Sequence, residues 1–312
     1  MLGLTLYLLH RAVFTAPDTF LSWGTILRNA LQSPLRFLLV CTVLLIPVNW
    51  GFEALKWQLL GQKIEPLSFL RAYRAVMVGL TLGFITPNRL GDYAGRVLEL
   101  KSRERLEAIG AVFMGRYCQL VATVLAGAAG LLYFILRFYW APYPGVSLSV
   151  IFLLLGLSAA MVLLLYNASA MVAVVAAVKP LRRAVPYLAV MGAYTHREVS
   201  RLLLLSLGRY LVFLLQFILL LVLFEVRLTP VQYVSGVSGT FFLKSVVPSV
   251  SLLSDLGVRE LSAMYLFGLL GEGRLQVLSA SLSLWLLNIA VPSAVGLLFV
   301  LRLRFSRKGV PA

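Results

Sequence analysis

The sequence predicts an all-α fold, a polytopic helical membrane protein with two inverted repeats, each containing a re-entrant or broken helix pair. Three observations predict it. Of 312 residues, 60% are hydrophobic and 13% charged, at a mean hydropathy of +0.91, whereas soluble domains carry about 25% charged residues. Residues 138–178 and 275–301 contain no charged side chain, and about 20 apolar residues cross a bilayer as a helix; the short alternating segments of a β-barrel do not occur. Third, one pattern recurs. Ser68 to Pro87 and Thr229 to Pro248 each run 19 positions from a capping hydroxyl to a proline, and each is followed by Asp-x-x-x-Arg: Asp92 with Arg96, Asp255 with Arg259.

The net charge of +16 comes from 28 Lys and Arg against 12 Asp and Glu. Basic loops that hold the cytoplasmic side and touch anionic lipid headgroups account for it. No arginine stripe interleaved with aromatics lies on a soluble face, so nucleic acid is not an expected partner. Cys41 and Cys118 lie in apolar segments and read as small core residues. His10 and His196 are far apart without ligand spacing, so neither a metal nor a cofactor is expected. The first 14 residues lack a basic n-region and a cleavage site, and no removed signal peptide is expected.

Taken in order, residues 1–34 mix an apolar start with His10, Arg11, Asp18 and Arg28, which fits either a short span or an interfacial amphipathic helix. Residues 35–60 form the first span. Trp50 and Trp57 near its end read as an aromatic belt. Glu53 and Lys56, three apart, pair as an interfacial anchor, and the deeper Asn49 is placed to hydrogen-bond a neighbouring helix. Ser68 caps a helix that carries Arg71 and Arg74 and runs to residue 85. Thr86-Pro87-Asn88-Arg89-Leu90-Gly91-Asp92-Tyr93-Ala94-Gly95-Arg96 follows, where lipid tolerates almost none of these residues. Irregular backbone at membrane depth survives only inside protein or beside a wet cavity, and ionisable groups there mark a pathway or a site.

A short helix from 92 leads into a charged cluster at 99–107. Residues 108–137 span, with Arg116 and Gln119 embedded. An aromatic turn at 138–145 precedes a span over 146–178 with a break near Asn167. Residues 179–201 hold Lys179, Arg182, Arg183, His196, Arg197, Glu198 and Arg201. Residues 208–224 span, with Arg209 at the start. Thr229-Pro230 opens a helix to 247 that carries Lys244. A loop at 248–255, a short helix from 256, a turn at 271–274 and a last span over 275–301 complete the chain, followed by Arg302, Arg304, Arg307 and Lys308. The expected organisation is an N-terminal half, 1–178, with the first repeat; a cytoplasmic or interfacial linker, 179–206; and a C-terminal half, 207–312, with the second.

The basic loops set direction. With the linker and tail in the cytoplasm, the helix after Ser68 enters from the cytoplasm and the chain returns there. The helix after Thr229 enters from outside and returns outside. Two such re-entrant pairs, their loops meeting near the midplane, are an arrangement of secondary transporters.

Asp92 and Arg96 share a helix face, as do Asp255 and Arg259. One reading is that each pair only holds the fold, because an unpaired buried charge is costly. The other is that each pair opens to an anionic headgroup. Helix starts near 92 and 256 would supply N–H donors, and Arg89, Arg96, Arg116, Lys244 and Arg259 would grip phosphate, arginine doing so through two parallel bonds. Ser249, Ser251 and Ser254 add neutral donors. The candidate substrate-binding residues are Arg89, Asp92, Arg96, Arg116, Lys244, Ser251, Asp255, Arg259 and Glu260, with no catalytic residue among them.

Pro87-x-x-x-Gly91-Asp92-x-x-x-Arg96 resembles the Pro-x-x-x-Gly-Glu-x-x-Arg-type loop of a flippase-like integral membrane family, the membrane domain of lysylphosphatidylglycerol synthases and their stand-alone bacterial homologues. Leu256-Gly257-Val258-Arg259-Glu260 resembles that family's second motif, usually Gly-Gly-Leu-Gly-Val-Arg-Glu. The resemblance covers residues 35–301. Asn49-Trp50, Lys56-Trp57 and the Thr86-Pro-Asn-Arg start are similar to a Bacteroidota-type branch. Asp92 stands where Glu is usual, and Ser254-Asp255 where a glycine pair is usual. The resemblance implies lipid translocation between leaflets of a bacterial cytoplasmic (inner) membrane, with membrane lipids of anionic headgroup as partners. The soluble aminoacyl-transferring part of the synthases is not found here.

Three functions compete. The first is a flippase for a lipid or lipid-linked substrate. The second is an integral-membrane enzyme acting on lipid phosphate or polyprenyl-linked sugar, for which neither acidic metal-ligand pairs nor a nucleophile and base are visible. The third is a non-transporting envelope-assembly protein, in which the Asp/Arg pairs only hold the fold. No GxxxxGK[ST] loop occurs, so energy would come from a gradient or downhill flow.

Overall fold

The computed structural model describes residues 19–86, 89–102, 105–247 and 252–307, and every regular element among them is helical. The expectations that fall on residues 1–18, on Pro87 and Asn88, on residues 248–251 and on the side chain of Asp255 lie outside the described residues. Twelve α-helices occur among the latter: α1 Thr19–Gln32, α2 Phe37–Gly61, α3 Phe69–Ile85, α4 Leu90–Leu98, α5 Ala108–Phe134, α6 Pro144–Tyr166, α7 Ala168–Ala177, α8 His196–Leu223, α9 Pro230–Val246, α10 Leu252–Leu269, α11 Arg274–Trp285 and α12 Val291–Arg307. Among the described residues, five stretches are long and apolar enough to cross a membrane: Pro34–Gly61, Ala108–Tyr139, Pro144–Tyr166, His196–Leu223 and Arg274–Leu301. The chain is a multi-pass helical membrane protein. On α6, Phe152 and Leu153 are 64% and 68% exposed, an apolar outer face of the kind a membrane-spanning helix turns to lipid.

Local chemistry sets the helix ends. Asn167 accepts from the Ala170 N–H and caps α7, giving the expected break. Helix α8 begins at His196, so Arg209 lies in the middle of a membrane-length helix instead of at its start. The apolar run continues upstream of Gly208 through Leu202–Leu205, and the glycine does not interrupt it.

The two capped helices of the recurring pattern are alike. Helices α3 and α9 each have 17 residues, about 26 Å at 1.5 Å per residue. Ser68 accepts from the Arg71 N–H. Thr229 accepts from the Gln232 N–H, and the Gln232 side chain accepts in return from the Thr229 N–H, closing a capping box.

The described residues form two compact units. One comprises the residues up to Pro47 with Thr123–Ser158 and Tyr210–Asn288. Its core is aromatic and aliphatic: Phe217, Phe241, Phe267, Val277, Ala280 and Leu284. Small residues let its helices approach. A Cβ on Gly236 would stand 2.7 Å from the Phe267 ring, and one on Gly127 would stand 2.5 Å from Phe242.

The other unit comprises Val48–Ala122, Ala159–Arg209 and the residues from Ile289 on. Here α3, α4 and α12 pack backbone to backbone. A Cβ on Gly95 of α4 would lie 2.6 Å from the Gly79 Cα of α3, and one on Gly296 of α12 would lie 2.5 Å from the Met77 carbonyl oxygen. Thr81 of α3 donates to the Ser293 carbonyl at 2.8 Å. Such contact leaves no room for lipid chains and fixes the side chains that α4 presents.

Candidate functional site

The second unit carries a network of six charged side chains on four helices. Asn49, Glu53 and Lys56 fall at i, i+4 and i+7 of α2, one helical stripe. Asp92 and Arg96 share a face of α4. Arg116 and Gln119, three apart, lie on α5, and Arg209 lies on α8.

Arg96 joins the two carboxylates. Its Nε donates to Asp92 Oδ1 at 2.9 Å, and its Nη2 donates to Glu53 Oε1 at 2.8 Å and Asp92 Oδ2 at 3.3 Å. Arg116 donates to Asp92 Oδ2 at 2.6 Å. Lys56 pairs with Glu53 Oε2 at 2.8 Å and donates to Gln119 Oε1 at 3.0 Å. Arg209 stands 3.2 Å from Glu53 Oε2 and donates to Asn49 Oδ1 at 3.0 Å. Gln119 in turn donates to the Ser206 carbonyl at 3.1 Å. Three aromatic rings cover the guanidinium groups: Trp57 over Arg96 at 5.5 Å, Tyr93 over Arg116 at 4.6 Å and Trp50 over Arg209 at 5.0 Å, each a favourable cation–π geometry.

Exposure divides the cations. Lys56 and Arg96 are sealed, their side chains 1% and 5% exposed, whereas Arg116 and Arg209 reach the surface at 32% and 21%. In a low-dielectric setting each ion needs a partner, and every oxygen of the two carboxylates lies within ion-pair distance of a cation.

Two expectations change here. Trp50 and Trp57 are buried, Trp57 completely, so they are packing partners of arginines and not an interfacial belt. Glu53 and Lys56 do pair at i,i+3, but inside this network instead of at a boundary. The missed residues, Glu53, Lys56, Arg209 and Gln119, had one signal in common: a charge or amide within an otherwise apolar helix.

The base of the α3–α4 hairpin is closed by further ions. Arg74 grips Glu99 through Nε at 3.0 Å and Nη2 at 2.6 Å. Glu65, between α2 and α3, accepts from the Lys101 and Ser102 N–H groups at 2.7 and 2.8 Å and pairs with Arg71. Burial pushes the Glu65 carboxyl up, but the Ser102 N–H, Arg71 and the Lys101 N–H outweigh it and hold it below the usual carboxylate range.

Of the sequence-predicted residues, Asp92, Arg96 and Arg116 meet in this network. Arg89 precedes α4 in the left-handed region, φ 54°. The helix begins at Leu90, not 92, and the Gly91 N–H of its first turn is already given to Thr86 Oγ1 at 2.7 Å. Arg259 and Glu260 meet in the other unit. Arg259 donates to Glu260 Oε1 from Nε and Nη2 at 3.1 and 2.5 Å, and to Ser281 Oγ and O at 3.0 Å each. Ser281 donates to the same Glu260 oxygen at 2.8 Å. Arg259 therefore has its adjacent residue as ion partner, and both are buried. Lys244 lies half-buried in the last turn of α9 of that unit. Ser251 and the Asp255 side chain fall outside the described residues.

A family model described as "Lysylphosphatidylglycerol synthase TM region" matches residues 2–311. No curated protein matches the chain. No solved structure matches it either.

Proposed function

Because this chain belongs to the family of lysylphosphatidylglycerol synthase membrane regions, we propose that it is a flippase in a bacterial cytoplasmic membrane. Its cargo is a lipid or lipid-linked substrate with an anionic headgroup. The observation that carries this reading is the buried network around Glu53 and Asp92, in which four cations face two carboxylates. A network needed only for packing would be expected to balance its charges, since every unmatched ion costs desolvation energy. The partly exposed Arg116 and Arg209 are the groups that meet the headgroup. Arg96, with Asp92 as its resting partner, holds the two carboxylates together behind them. Arg259, Glu260, Lys244, Ser251 and Asp255 remain part of the proposal as a second set. The enzyme reading gains nothing from the network, which offers acids and bases already locked in ion pairs.

Purified protein in liposomes with fluorescent lipids of anionic or zwitterionic headgroup tests this. Arg116→Lys and Arg209→Lys keep the charge and lose the planar fork. We expect both variants to fold and to move anionic lipid about 10-fold more slowly, in line with a charge-assisted hydrogen bond of about 1.5–3 kcal/mol. If both run at the wild-type rate for every lipid, the arginines are structural and the assembly-protein reading takes over.

A further inference from the structure

We propose that the group held at this network carries two negative charges, as a phosphomonoester or a diphosphate does, and is not the singly charged phosphodiester of common phospholipids. This rests on the reading that the network receives a headgroup. The six side chains joined by ion pairs contain two carboxylates, Glu53 and Asp92, and four cations, Lys56, Arg96, Arg116 and Arg209, an excess of two positive charges. Among the described residues no third carboxylate joins the six: Glu99 is gripped by Arg74 and Glu65 by Arg71.

The surplus has a place as well as a size. The sealed Lys56 and Arg96 match the two carboxylates in number. The remaining two cations, Arg116 and Arg209, are the ones that reach the surface. Each lies beside an aromatic ring, Tyr93 and Trp50, which fixes a guanidinium plane and lowers the cost of ordering it. Each also touches a carboxylate that another cation already serves. The vacant charge is thus two, and it sits where a ligand from outside the unit can approach.

A phosphodiester brings one charge to this pair. A phosphomonoester brings about −1.5 to −2 at pH 7 and three acceptor oxygens, enough for two arginines that each donate in parallel. Free phosphate shares this chemistry with a lipid-linked phosphate, so the test separates the two.

The full chain is reconstituted in phosphatidylcholine vesicles at about pH 8, above the second phosphate pKa of about 6. Fluorescent phosphatidic acid, phosphatidylglycerol and phosphatidylcholine of identical chains are followed across the bilayer. Labelled inorganic phosphate uptake is measured in parallel. The expected result is phosphatidic acid moving about tenfold faster than phosphatidylglycerol, the worth of one further charge-assisted bond. Arg116→Gln and Arg209→Gln, each removing one surplus charge, should narrow that ratio. Arg116→Lys, which keeps the charge, should slow both lipids and keep the ratio; it serves if the glutamine variants fail to fold. Phosphatidylglycerol moving as fast as phosphatidic acid would overturn the double charge and leave the flippase reading standing. No lipid moving faster than in protein-free vesicles would overturn both. Phosphate uptake without lipid movement would support the double charge and overturn the lipid reading.

Discussion

Glu53 is the counter-ion of three cations, Lys56, Arg96 and Arg209. Replacing it by glutamine leaves the three without that charge in a site where only 5% of the residue is exposed. Removing one partner of a buried pair costs about 3–5 kcal/mol, and Glu53→Gln is expected in that range. Lys56→Met in the same background removes one of the two cations that stand 2.8 Å from it, so the double variant should lose less than the two single losses added together. Unfolding in mixed detergent micelles measures all three. A cost for Glu53→Gln below about 1 kcal/mol, the value of an exposed pair, would mean that water screens the network. At this scale the reading from sequence was partial for a physical reason. Asp92, Arg96 and Arg116 announced themselves beside glycines and a proline. Glu53 and Lys56 stood between two tryptophans, a pattern that equally marks a membrane boundary, and only the cation–π contacts with Arg96 and Arg209 separate the two cases.

Helices α3 and α4 owe their contact to the absence of side chains. Gly79 and Gly83 of α3 face Gly91, Asp92 and Gly95 of α4 so closely that a Cβ on Gly91 would stand 2.1 Å from the Leu82 carbonyl oxygen. A Cβ on Gly95 would meet Gly79 backbone atoms, which have no rotamer with which to yield. Gly95→Ala is therefore expected to destabilise by about 1–3 kcal/mol, the usual cost of overpacking. It should also slow lipid movement, because it displaces Arg96 on the next residue. Thermal unfolding in detergent and the liposome assay check the two effects separately; a variant of wild-type stability would show that the hairpin breathes enough to take a methyl. Elements were the most legible level. Helix caps at Ser68, Asn167 and Thr229 follow from side chains that satisfy free N–H groups, and long apolar runs mark the spans. The start of α8 was not legible, because Arg197, Glu198 and Arg201 are as natural in a loop as in the first turns of a helix that leaves the membrane.

For the molecule as a whole, the Pro144–Tyr166 span is expected to place Tyr143 and Lys179 on opposite faces of the bilayer. From the clustering of Lys179, Arg182 and Arg183 we expect the Lys179 face in the cytoplasm. In a background lacking Cys41 and Cys118, a cysteine at Tyr143 should label only from outside and one at Lys179 only from inside; labelling from one side would remove the topology on which the transport reading depends. The network of Glu53 and its partners also has a history in time. The chain is made from its N-terminus, so α2 enters the bilayer with Glu53 and Lys56 holding only each other, 2.8 Å apart on one helix. Arg96 arrives with α4, Arg116 and Gln119 with α5, and Arg209 only with α8. A lone charge at a helix centre costs about 2.5–3.5 kcal/mol on insertion, so α8 is a poor solitary passenger until Glu53 and Asn49 receive its arginine. The proposed site is thus also the last clasp of the protein's assembly. A nascent chain halted before α8 would expose an unfinished ionic seam to the membrane's quality-control proteases.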